Sequence, residues 1–112
     1  MAESTHDYTL LKADRLIDGS NGPIIEGAAL LISGDEVVAM GRQADVRAPD
    51  AASVQEIEYG DATILPGLVD CHTHLCAPGD GTPGDEISKE DHQILLLQAA
   101  KNARTILHSG VT

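Results

Sequence analysis

Apolar and polar positions along this chain follow one rhythm up to about residue 60 and another after it. In the first part, short apolar runs alternate with clusters of turn formers. Residues 8–17 (YTLLKADRLI) suit a β-strand by their aliphatic and β-branched content. Residues 18–23 (DGSNGP) are all turn formers and predict a loop. A second strand follows over 24–33, with a bend at Gly27, and Ser33, Gly34 and Asp35 reverse the chain. The run 36–40 (EVVAM) then ends at Gly41. Two apolar runs around a Gly-Asp turn predict a β-hairpin. Residues 42–53 are polar and Ala-rich and read as a connection with a short helical turn, and 54–59 (VQEIEY) as a further strand.

The second rhythm begins after the Gly60-Asp61 turn. Residues 64–76 (ILPGLVDCHTHLC) read as an apolar strand, broken at Pro66-Gly67, that ends in two histidines. Residues 77–85 hold three glycines and two prolines and predict an irregular loop. Ser88 with Asp91 three residues on has the form of a capping box, which places a helix start at 88. The helix runs to Ser109 with Leu95, Ala99, Ala103 and Ile106 on one stripe and Leu96, Ala100 and Leu107 beside it. Gly110 is its stop signal, and Val111 and Thr112 open another strand. Strand, loop, helix and strand make a βα unit, the building block of parallel sheets and barrels. One such unit cannot bury both faces of its strand, so the fold is expected to continue past residue 112.

Composition sharpens this picture in three ways. Tyr8 and Tyr59 are the only aromatics among 112 residues, so a core has to be assembled from Leu, Ile, Val and Ala. Eighteen acidic against seven basic residues give a net charge of −11, which repels phosphate backbones and argues against nucleic-acid partners. No run of 18 apolar residues suits a membrane span, and residues 1–7 lack the basic start and apolar run of a signal peptide. Two cysteines are too few for a disulfide framework. These features together predict a cytoplasmic protein with no membrane partner.

The candidate chemistry lies in the central stretch. Side chains on a strand repeat every second residue on one face, so His72 and His74 point the same way. Neutral imidazole is a favoured ligand for zinc and other late divalent metals. A catalytic centre also needs further ligands, an open position for water and a general base. Asp70 has the same strand parity and lies one layer deeper. It either accepts a hydrogen bond that holds a metal ligand in position or caps nearby backbone. Cys71 and Cys76 could be taken with the histidines as a closed zinc site, but Cys71 faces the other way on a regular strand. Both read instead as small buried hydrophobes. His6, His92 and His108 read as surface or packing residues. The loop 77–85 is a lid over the metal or a plain connection, and its glycines lack the spacing of a phosphate-binding loop.

Residues 65–74 (LPGLVDCHTH) closely resemble the first-strand signature of the amidohydrolase superfamily of metal-dependent hydrolases. The upstream Asp18-Gly19, the hairpin 31–41 (LISGDEVVAMG) and the downstream run 99–112 (AAKNARTILHSGVT) are similar too. The helix and its Gly-Val-Thr exit look most like the imidazolonepropionase and Xaa-Pro dipeptidase (prolidase)-like branch. The resemblance implies an α/β fold: a β-rich portion of a composite β-sandwich over 1–61, and the first βα unit of a (β/α)₈ TIM-type barrel over 62–112. It implies a divalent metal, zinc in one or two ions, with His72 and His74 matching the first two ligands. It further implies hydrolysis of an amide or peptide C–N bond by a metal-activated water. The expected small-molecule substrates are a dipeptide such as Xaa-Pro, an N-acyl amino acid or a cyclic amide. The other ligands and the acid/base residue are expected beyond residue 112, which would leave these 112 residues inactive alone. Two rival readings remain: a non-catalytic β-rich scaffold or oligomerisation module, and a small structural zinc protein. Unpaired strand edges and an uncovered helix face also predict a homo-oligomer.

Overall fold

The structure is a computed structural model that describes residues 6–112. The polar tail at residues 1–5 lies outside them. Two compact units are present, one ending at Pro66 and the other spanning Gly67–Thr112.

The first unit is a mixed five-stranded sheet. Strand β1 (Tyr8–Leu16) is its centre, and β2 (Ile25–Ser33) lies antiparallel to it. Strand β3 (Glu36–Arg42) closes the expected hairpin on β2, turning through Gly34 at φ 61, where a residue without Cβ is strongly favoured. On its other edge, β1 pairs parallel with β4 (Val54–Glu58) along its first half and with β5 (Thr63–Ile64) along its second. The order is therefore β3-β2-β1-β4, with β5 also on β1. The bend expected at Gly27 is present: its φ of 57 interrupts the ladder between Ala13↔Ala28 and Arg15↔Glu26.

The core is aliphatic. Leu10, Ala29, Leu31 and Val46 form one buried cluster, backed by Tyr8, Ala39, Ala48 and Val54. Ala28 and Ala29 are fully buried, so the strands pack closely over them. Val46 comes from the 42–53 connection, where Val46 N–H reaches the Arg42 carbonyl in a single helical turn. Nothing in the polar sequence around Val46 marks it as a core residue.

The second unit differs from its sequence-based expectation in three places. The continuous strand over 64–76 does not form. Thr63–Ile64 pairs within the first sheet, and from Gly67 onward the chain is irregular except for one parallel bridge, Leu68 to Val111. Strand geometry needs a paired neighbour for its N–H and C=O groups, and past Leu68 the described residues provide none. The helix start also moves. Ser88 closes a one-turn helix, α1 (Gly84–Ile87), and Asp91 caps the long helix α2 (His92–His108) by accepting the Gln93 N–H at 2.8 Å. The long helix thus begins later than the capping box placed it, and α1 stands upstream of residue 88, reaching into the stretch read as an irregular loop. The half-buried stripe of α2 is Leu95, Gln98, Ala99, Asn102 and Ile106, while Ala103 is exposed.

The C-terminal stop is as expected. Gly110, at φ 96, donates to the Leu107 carbonyl and Val111 N–H reaches that of Ile106, the paired bonds of a Schellman motif. Among the described residues no helix is long and apolar enough to cross a membrane.

Candidate functional site

The structure brings His72 and His74 together although they do not lie on a regular strand. Their Nε2 atoms are 2.8 Å apart and their ring centroids 4.8 Å, with the planes tilted by 54°. At that separation one ring donates its Nε2–H to the lone pair of the other. Both side chains are exposed. The local cause is a tight turn built by Asp70. Its Oδ1 accepts the His72 N–H at 3.0 Å, and its Oδ2 accepts the Thr73 hydroxyl at 3.1 Å. This side chain-to-backbone pattern bends the chain at the position where the ladder stops. Asp70 therefore engages the backbone of His72 and the Thr73 hydroxyl, while the two imidazoles bond to each other.

The donor set fits a late divalent ion. Zinc–nitrogen bonds of about 2.1 Å put two bound nitrogens roughly 2.8–3.4 Å apart, depending on the angle. The pair sits at the short end of that range. Among the described residues no group of three or more His, Cys, Asp and Glu side chains is arranged to hold a metal. The cysteines do not complete one: Cys71 and Cys76 are free and exposed, where burial was expected. Of the remaining histidines, His6, His92 and His108 are also exposed.

The segment after His74 is held more firmly than its composition indicates. Ala77 N–H closes a turn on the His74 carbonyl at 3.0 Å. Asn102, on the half-buried stripe of α2, donates from Nδ2 to the Leu75 and Ala77 carbonyls, each at 2.7 Å. Gln98 orients that amide by donating to Asn102 Oδ1 at 2.8 Å. Sequence reasoning missed both residues. The available signal was a polar pair at i and i+4 interrupting the inner face of an otherwise apolar helix. A cleft of about 350 Å³ opens between His74, Ala77, Pro78, Asn102 and Ile106. A larger one of about 510 Å³ is lined by Cys76, Thr82, Glu86, Ile87, Ile94 and Gln98. In the 77–85 loop, Asp80 accepts the Thr82 hydroxyl and N–H, which hold its carboxyl below the ordinary value.

No family model matches the chain. The imidazolonepropionase of Yersinia pseudotuberculosis serotype O:1b (strain IP 31758) is 37% identical over 62 residues, covering 55% of this chain and 15% of the relative. That of Yersinia pestis (strain Pestoides F) is 35% identical over 77 residues, 69% of this chain and 17% of the relative. The chain spans 15% to 17% of the length of these curated relatives. Among solved structures, A. niger ochratoxinase matches with a TM-score of 0.73 at 26% identity, over 97% of this chain and 25% of that one. A Xaa-Pro dipeptidase with bound methionine in its active site matches at 0.67 and 23%, over 94% and 25%, a likeness of fold. Over the part of those proteins that it spans, this chain belongs to the amidohydrolase superfamily, with imidazolonepropionases as its curated relatives.

Proposed function

We propose that the chain forms part of a metal-dependent hydrolase that cleaves an amide or peptide C–N bond, with His72 and His74 holding the metal. The convergence of the two Nε2 atoms at 2.8 Å is the observation that carries this reading. In this reading the first unit contributes to a β-sandwich, and the stretch from about residue 62 to Thr112 is the first βα unit of a (β/α)₈ barrel. The Leu68–Val111 parallel bridge is the kind of pairing that begins such a barrel. The substrate is a small molecule: a dipeptide such as Xaa-Pro, an N-acyl amino acid or a cyclic amide. The working protein is a cytoplasmic homo-oligomer.

The residues present take defined parts. His72 and His74 offer two imidazole nitrogens from one turn and would hold the first ion, the proton between the two Nε2 atoms being displaced as it enters. Asp70 keeps the His72 backbone bent so that both rings face the same space. The 350 Å³ cleft beside His74 receives part of the substrate. A divalent ion held by His72 and His74 would supply Lewis-acid polarisation of a carbonyl and a more acidic water, and imidazole ligands favour zinc.

Zinc titration of the chain by calorimetry tests the assignment. Wild type should bind one ion per chain weakly, and the His72→Ala/His74→Ala variant at least about tenfold more weakly. Equal zinc affinity in the two would sink it. Tight binding lost with unfolding in chelator would instead identify a structural zinc site.

A further inference from the structure

We infer that Asn102 is the positioning residue for the histidine pair, acting through the backbone of the turn that carries His74. This rests on the metal reading of His72 and His74 given above. A metal ligand on an irregular segment needs its backbone held by something other than a strand ladder, since the chain past Leu68 has no ladder to hold it. Three bonds supply the restraint here. Ala77 N–H returns to the carbonyl of His74 itself, and the Asn102 amide donates to the Leu75 and Ala77 carbonyls.

The chemistry suits a carboxamide and few other groups. Two carbonyl oxygens at 2.7 Å need two N–H donors on one nitrogen, with no net charge placed beside a cation site. A carboxylate there would face both oxygens with no proton to offer. The remaining oxygen of the amide accepts from Gln98, which fixes its flip and hence the direction of both donations. Asn102 also stands on a 17-residue helix with a capped start and a Schellman end, so the anchor itself is rigid. The restraint reaches the metal without touching it: an Asn102 that lets go frees the exit of His74, and the two rings lose their shared orientation.

Cobalt(II) alone is the probe, titrated into the full chain and followed by its visible absorption. Asn102→Leu keeps the volume, adds no charge and improves helix propensity, so a residue that served only the helix would lose nothing by it. The expected result is cobalt affinity reduced about tenfold, the usual scale for groups that orient a ligand, with helical circular dichroism unchanged. Affinity equal to wild type in Asn102→Leu overturns the inference. Where the His72→Ala/His74→Ala variant still loses cobalt, the metal reading survives that failure. Equal binding in the double variant removes the metal reading and the inference with it. A second measurement needs no variant. In wild type, saturating zinc should shift the NMR signals of the Asn102 carboxamide together with those of both imidazoles. A carboxamide that stays put while the imidazoles move also overturns the inference.

Discussion

Replacing Leu16 by Ala should cost the first unit most of its stability. Leu16 is 2% exposed and ends the central strand, with Ile25 of β2 across one edge and Ile64 of β5 across the other. The change removes three carbons, worth about 2.4 kcal/mol in transfer at about 0.8 per methylene. An unrelaxed cavity would raise that toward 4 kcal/mol. Here the void would open onto a groove of about 310 Å³ lined by Leu16, Leu30, Val37, Met40 and Leu65. Neighbours and water can enter from that side, so the expected loss is about 2.5–3 kcal/mol. For a unit of this size the urea slope is about 1 kcal/mol/M, and the midpoint should fall by about 2.5–3 M. Urea unfolding followed by far-ultraviolet circular dichroism measures it. Val38→Thr is the control: Val38 is 48% exposed at the β-bulge between β2 and β3, and the change keeps a β-branched residue. Its midpoint should move by less than about 0.5 M. A Leu16→Ala shift no larger than that of Val38→Thr would refute the placement of the core along β1.

Two further outcomes follow from local geometry. Asp91→Ala should lower the thermal stability of α2 by about 1 kcal/mol through loss of its N-cap bond, while Ser88→Ala, which ends α1, should leave α2 unchanged. Helical circular dichroism on heating reads both, and the reverse order would restore the capping-box assignment. Acid should weaken the 18–23 turn, because the Ser20 N–H and hydroxyl hold the Asp18 carboxyl below its ordinary value. A carboxyl depressed by folding stabilises the folded state above its unfolded pKa, and that contribution disappears as pH falls through the lower folded value. The urea midpoint of wild type should therefore fall more between pH 5 and 2 (roughly the window of an aspartate carboxyl) than that of Asp18→Asn, by a small margin because the turn lies at the surface. Equal slopes would remove the turn from the acid response.

Legibility in the sequence followed the range of the interaction. The strands β1 to β4 and the hairpin were readable because alternating apolar runs and Gly34 act within a few residues of one another. Gly110 was readable for the same reason, since a Schellman stop is encoded in the last turn of its helix. Val46 was not, because its burial comes from Leu10, Ala29 and Leu31, all distant in sequence. The helix start was misplaced because two residues, Ser88 and Asp91, both had capping chemistry. The choice between them depended on whether 84–87 coils on its own.

At the candidate site the division is similar. His72 and His74 were visible as a pair with one residue between them, and that two-residue spacing alone called for a shared face. The sequence by itself determined the pairing of two imidazoles, the acidic charge balance and the aliphatic core. Tertiary structure decided how the two rings come together: by the Asp70 turn in place of a strand, with Asn102 bonded to the carbonyls that follow His74. The reason is physical. A strand is specified by its pairing partner, and where the described chain offers none beyond Leu68, side chain-to-backbone hydrogen bonds from Asp70 and from Asn102, 27 residues beyond the Leu75 carbonyl it holds, set the backbone instead.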